Sequence, residues 1–125
     1  MARILIVDDE PDVVRLAVAA LAGRGHEVIT AADGAAALDL AAAEAFDLAI
    51  VDRNLPQIDG LEVCRRLRAG ARAVPVVMLS AGPIELEEAC RADGPSAFVV
   101  RPLLRETLVG NVERLLAGPV AGAPS

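Results

Sequence analysis

Residues 47–60 read DLAIVDRNLPQIDG, and this stretch decides the fold. An apolar run, Leu48-Ala49-Ile50-Val51, stops abruptly at a carboxylate, Asp52. A polar turn containing Pro56 follows, and Asp59-Gly60 has the composition of a turn and helix cap. A short continuous apolar run bounded by turn residues is the pattern of a strand buried on both faces. The same event occurs earlier in the chain, where Ile4-Leu5-Ile6-Val7 ends at Asp8-Asp9. Two buried strands that each stop at acidic residues make one acidic pocket if they lie side by side.

Working outward, Arg3–Val7 is a first strand. Pro11 suits the first turn of a helix whose apolar positions are Val13, Leu16, Val18, Ala20 and Leu21, ended by Gly23 and Gly25. His26 falls in an exposed turn and carries no assigned role. Glu27–Ala31 is a second, weaker strand, Asp33-Gly34 a turn, and 35–45 an Ala-rich helix with Leu38 and Leu40. After the third strand, 48–51, Gly60–Ala69 forms a helix with Leu61, Cys64 and Leu67 on one face. Pro75 sets off a fourth strand, 76–79, with Met78 in the core and Ser80 at its end. Residues 84–92 form a polar helix with Glu85, Glu87 and Glu88 on a solvated face, and its few apolar anchors make it the least stable element. Ala97–Val100 is the fifth strand, ending at Arg101-Pro102. Leu104, Leu108, Val112 and Leu115 recur at helical spacing in a last helix. The tail 118–125, GPVAGAPS, reads as a linker or disordered segment, which leaves 1–117 as the domain.

Five rounds of apolar strand and amphipathic helix imply an α/β fold, a parallel sheet covered on both faces. Right-handed crossovers restrict it to a doubly wound sheet, and ligands of such sheets sit at the carboxyl ends of the strands. Four of the five strands end in chemistry-bearing residues: Asp8-Asp9, Asp52, Ser80 and Arg101.

Composition narrows the function. The 125 residues suit one domain, and 54% apolar content argues against disorder. The formal charge is −6 and every basic residue is Arg, with no basic cluster, so direct binding to nucleic acid or an anionic membrane is not expected. No apolar run approaches the roughly 20 residues of a bilayer span, and no signal peptide is expected, which points to a cytoplasmic protein. Cys64 and Cys90 lack metal or redox spacing and read as small buried hydrophobes.

If the four strand ends converge, the site holds three carboxylates, a hydroxyl and a guanidinium. Two carboxylates about 5 Å apart repel by roughly 3 kcal/mol at an effective dielectric near 20. Three of them call for a cation, and a partly hydrated Mg²⁺ suits oxygen ligands of this kind. A carboxylate can also act as nucleophile toward a phosphoryl group.

These motifs together resemble the receiver domain of bacterial two-component response regulators, over nearly the whole chain. They are the acidic pair in VDDEP (Asp8-Asp9), the D-x-x-[ML]-P-x-x-[DN]-G signature (Asp52, Leu55, Pro56, Asp59, Gly60), Ser80-Ala81 after the fourth strand, and the basic-Pro pair Arg101-Pro102. The resemblance implies a flavodoxin-like sandwich with a five-stranded sheet of order 2-1-3-4-5. It implies Asp52 as phosphoacceptor from a histidine kinase or phosphotransfer protein. It implies Mg²⁺ held by Asp9, Asp52 and the backbone carbonyl of Asn54, with Asp8 acting through water. Ser80 would donate to the phosphoryl group, Arg101 would pair with it, and Phe98 would be the aromatic switch partnering Ser80. The face built by 84–92, the fifth strand and the last helix would be the surface partners read, and a surface for homodimerisation. A C-terminal output domain would lie outside this chain.

Arg101 stands where the family carries Lys, and Gly82-Pro83 where it has a polar pair. Two readings of Arg101 follow: it pairs with the phosphoryl group, or it lies across Asp52 and Asp8 and holds the site neutral. The second would make the chain an unphosphorylated interaction domain. Phe98 is read equally as a core residue, and Asp8, Asp9 and Glu10 would also suit a helix N-terminus. A turnover enzyme such as a phosphatase is disfavoured, because Asn54 rather than a second acid stands two positions after Asp52.

Overall fold

The apolar runs form one sheet because the central ones have too little polar surface to face water on either side. In a computed structural model of the chain, residues 2–70, 74–80, 97–100 and 103–117 are described, apart from the side chains of Ser80, Phe98 and Val100. The helix expected over 84–92, Cys90, Gly82-Pro83, Arg101-Pro102 and the tail lie outside the described residues. The strands are β1 (Arg3–Val7), β2 (Glu27–Ala31), β3 (Leu48–Asp52), β4 (Val76–Ser80) and β5 (Ala97–Val100). They are parallel throughout, in the order β2-β1-β3-β4-β5. β3 is central and buried at all five positions, whereas β2, at an edge, is only partly buried. That position explains the weaker apolar pattern of β2.

Alternation along the strands divides the core in two. Leu5, Val7, Ala49, Val51 and Met78 face α2 (Gly34–Ala43) and α3 (Gly60–Ala69). Ile4, Ile6, Ile50, Val77 and Leu79 face α1 (Pro11–Ala22) and the C-terminal helix (Arg105–Ala117). The result is the doubly wound, three-layer α/β fold expected from the sequence. Met78 and Cys64 are in the core. Among the described residues, no helix is long and apolar enough to cross a membrane.

Several local expectations need correction. In α1 the buried face runs through Ala17, Ala20 and Leu21, and Leu16 is exposed. At 100° per residue, Leu16 lies a quarter-turn away from Ala17, and the core takes the smaller side chain. Asp33 is the N-cap of α2, accepting from the Ala36 amide at 2.8 Å, so the helix begins at Gly34 and ends two residues before the expected 45. Gly34 belongs there because a Cβ would lie 2.7 Å from Val63 Cγ2. In α3 the buried face is Val63, Cys64 and Leu67, with Leu61 at its margin. Leu104 precedes the C-terminal helix and is 56% exposed; its carbonyl caps the first turn by accepting from Leu108. His26 is not in an exposed position. Its side chain is only 7% exposed, Nδ1 accepts from the Ala2 amide at 3.1 Å, and Nε2 faces Glu113 at 3.7 Å.

Candidate functional site

Pairing register brings the two acidic strand ends together. Val7 of β1 lies beside Val51 of β3, so the next residues, Asp8 and Asp52, leave adjacent strands at the same level. The Asp8 amide extends the ladder by one bond, donating to the Ala31 carbonyl at 3.1 Å. Asp8 is 2% exposed and Asp52 3%, while Asp9 is exposed. One carboxylate oxygen from each of Asp8, Asp9 and Asp52 lies within 4.8 Å of the other two.

The two buried carboxylates are held in the same way. Asp8 Oδ1 accepts from the Glu10 amide at 2.9 Å, and Asp52 Oδ1 accepts from the Asn54 amide at 3.0 Å. Both are Asx-type turns, in which a short acidic side chain bonds the backbone two residues on. Each turn reverses the chain out of the sheet and fixes one oxygen of its carboxylate. Two like charges at such a separation repel by roughly 3 kcal/mol at an effective dielectric near 20. An all-oxygen, triply acidic donor set of this size fits a hard divalent cation. The same residues would merely favour the start of α1 if they stood alone; their convergence with Asp52 gives them a second use.

The loop from β3 to α3 forms one wall of the site. The Arg53 amide donates to the Leu79 carbonyl at 2.9 Å, and the Gly60 amide returns to the Arg53 carbonyl at 3.2 Å. Gly60 is required by the approach of the chain to itself, since a Cβ would sit 2.1 Å from the Asp52 carbonyl oxygen. Gln57 adopts φ 68°, in the left-handed region, and the Ile58 amide bonds the Pro56 carbonyl around it at 2.8 Å. Asp59 caps α3 by accepting from the Leu61 amide at 2.8 Å, as its turn-and-cap reading required. It also takes both short bonds from Arg53 Nη1, each 2.6 Å.

Sequence reasoning did not pick out Arg53. A charged pair six residues apart inside a tight loop follows neither strand nor helix periodicity, so no local pattern signals it. Ser80 closes β4 one step past Leu79, the register partner of Asp52, and Phe98 pairs with Met78 in β5. These are backbone placements; the side chains of both, and Arg101, lie outside the described residues. Asn54 is exposed at the mouth of the loop.

The chain matches the response regulator receiver domain model over residues 4–113. It is 36% identical over 98% of its length to the alkaline phosphatase synthesis transcriptional regulatory protein PhoP of Bacillus subtilis, covering 52% of that protein. It is 35% identical to the transcriptional regulatory protein TcrA of Mycobacterium tuberculosis, over 98% of this chain and 49% of that one. The chain thus spans about half the length of these sequence relatives. Among solved structures it resembles the chemotaxis response regulator CheY4 of Vibrio cholerae, with TM-score 0.84, 34% identity and coverage of 92% of this chain and 98% of that one. NtrX of Brucella abortus gives TM-score 0.84 and 34% identity over 93% of this chain and 27% of its own. The acidic cluster at the carboxyl ends of β1 and β3 therefore sits in a receiver domain, and the chain belongs to the response regulator receiver family of two-component signalling.

Proposed function

We propose that this receiver domain accepts a phosphoryl group on Asp52 from a histidine kinase or phosphotransfer protein. The observation that carries the reading is the convergence of Asp8, Asp9 and Asp52 within 4.8 Å at the ends of adjacent strands. Asp52 supplies the nucleophile. One of its oxygens forms a bond to phosphorus, and the bond from phosphorus to the donor's nitrogen or oxygen breaks, its electron pair leaving with the donor. Burial at 3% exposure limits the water that reaches the resulting acyl phosphate. The bond from the Asn54 amide to Oδ1 keeps that carboxylate in a fixed rotamer during attack.

Mg²⁺ would be held by Asp9, Asp52 and the Asn54 carbonyl, with Asp8 through water, and would supply charge neutralisation for the transferred group. Ser80 would donate to a phosphoryl oxygen, Arg101 would pair with the same group, and Phe98 would respond to the movement of Ser80. These three roles rest on the family resemblance. The chemistry stops at self-catalysed phosphorylation and dephosphorylation of Asp52, with no turnover of an external substrate.

The family resemblance assigns the output face, and a surface available for homodimerisation, to the segment 84–92 together with β5 and the C-terminal helix. The relatives named as transcriptional regulators are about twice as long as this chain, which supports a receiver that works together with a further output domain. The test is incubation with Mg²⁺ and acetyl phosphate followed by intact-mass measurement. The wild type gains one phosphoryl group and Asp52→Asn gains none. An unmodified wild type under saturating donor would overturn the proposal.

A further inference from the structure

The β3–α3 loop contains an ion pair whose Arg53 member has no role in the acidic cluster or the family signature. Arg53 directly follows Asp52, and its side chain is only 17% exposed, against 52% for its partner Asp59. Arg53 Nη1 donates to both oxygens of Asp59 at 2.6 Å, while its Nε is buried and makes no hydrogen bond among the described residues. A guanidinium this shielded loses much of its hydration, so the Asp59 carboxylate is what compensates its burial. That sets it apart from the exposed pairs on the helices, such as Arg15 with Asp12, which are worth little.

We infer that Arg53 is a positioning residue whose ion pair with Asp59 holds the 53–60 loop closed, fixes the Asn54 backbone beside Asp52, and so sets the affinity of the acidic cluster for a divalent cation. This rests on the metal-dependent reading of the site given above. The pair joins the first residue of the loop to its last before α3. Asn54 is the next residue after Arg53, and its amide already bonds Asp52 Oδ1. A loop opened at Arg53 moves the Asn54 carbonyl relative to the carboxylates, whereas the Asp59 cap on Leu61 acts only on α3. The two jobs of Asp59 are separable, because Asn is as good an N-cap as Asp but cannot neutralise Arg53.

The structure also orders the variants. Arg53→Met keeps the apolar stem and removes the charge. Asp59→Asn keeps the cap but leaves a shielded guanidinium without its counter-charge, so it is the more damaging change. Mg²⁺ affinity of the full chain is measured by isothermal titration calorimetry, with acetyl phosphate rates at limiting and saturating Mg²⁺ alongside. Arg53→Met weakens Mg²⁺ by about tenfold, at the low end for groups that orient metal ligands. Asp59→Asn weakens it more, and the double variant returns to the level of Arg53→Met. Arg53→Lys, which restores a charge but not the planar donor geometry, recovers part of the loss and serves if Arg53→Met does not fold. Phosphorylation at limiting Mg²⁺ falls in the same order, and saturating Mg²⁺ recovers the larger part of that loss.

Unchanged Mg²⁺ affinity in folded Arg53→Met or Asp59→Asn, with only a lowered melting temperature, overturns the inference and leaves the pair a loop staple. A wild type that binds no Mg²⁺ overturns it as well. A wild type that binds Mg²⁺ and shows this order, yet takes no phosphoryl group, upholds the clamp while Asp52 fails as acceptor.

Discussion

The two ends of the sheet treat charge in opposite ways. At the carboxyl end, Asp8, Asp9 and Asp52 gather like charges within 4.8 Å. At the amino end, charges alternate in sign. Arg3, at the start of β1, donates Nε to Glu27 at 2.9 Å and Nη2 to Glu44, and lies over the Phe46 ring at 5.5 Å. Its backbone amide donates to Asp47 Oδ2 at 2.8 Å. Nearby, Arg24 donates to Glu113, and His26 closes on the Ala2 amide. One end gathers three carboxylates of one sign; the other uses the same residue types to tie β1, β2, α2 and the C-terminal helix together. Stability and function are thus separated along the strand axis, as open α/β sheets allow.

The largest test of this contrast is steric. Gly60→Ala places a Cβ 2.1 Å from the Asp52 carbonyl and 2.8 Å from Arg53 Cα, both backbone atoms that move only with the site wall. A loss of about 3 kcal/mol by urea denaturation is expected, together with loss of Mg²⁺ binding. A variant of wild-type stability would mean that the end of β3 is much softer than its packing implies.

Next is the repulsion itself. Without divalent cation, Asp52→Asn should raise unfolding free energy by about 2 kcal/mol, because one of three like charges is gone. Mg²⁺ should then stabilise the wild type more than the variant. If the variant is instead less stable in chelator, the cluster is already balanced by neighbouring cations and the contrast between the ends weakens.

The smallest effect lies at the amino end. The hydrogen bond from Arg24 holds the Glu113 carboxyl below its ordinary value of 4.5, with His26 adding to the effect. A depressed folded-state value stabilises the fold at pH above the unfolded value, and that contribution disappears as pH falls through the lower, folded value. Urea midpoints measured from neutral to acid pH should therefore drop less steeply below pH 4.5 in Glu113→Gln than in the wild type. Parallel profiles would show that this pair contributes nothing to the amino end.

Much of this was legible in one dimension. Strands buried on both faces have no polar register to hide in, so Ile4 to Val7 and Leu48 to Val51 declared themselves as continuous apolar runs. Each ended in Asp, because a carboxylate cannot continue into the core without a partner. Strand count, parallel sense and the membership of Asp8, Asp9 and Asp52 in one site followed from those runs and from the handedness of crossovers. Asp59 as a cap followed from local turn chemistry.

What the tertiary structure alone decided involves partners that share no local period. Whether Leu16 and Leu104 face out depends on which stripe of each helix meets the sheet, and small residues such as Ala17 took the place nearest the strands. His26 and Ala2 are 24 residues apart, and Arg24 and Glu113 are 89 apart, so nothing in either neighbourhood marks the bond. The pairing of Arg53 with Asp59 arises only because Gly60 lets the loop close against the end of β3. Periodicity records which face of an element is apolar. Side-chain pairing depends on distances that exist only after the elements have packed.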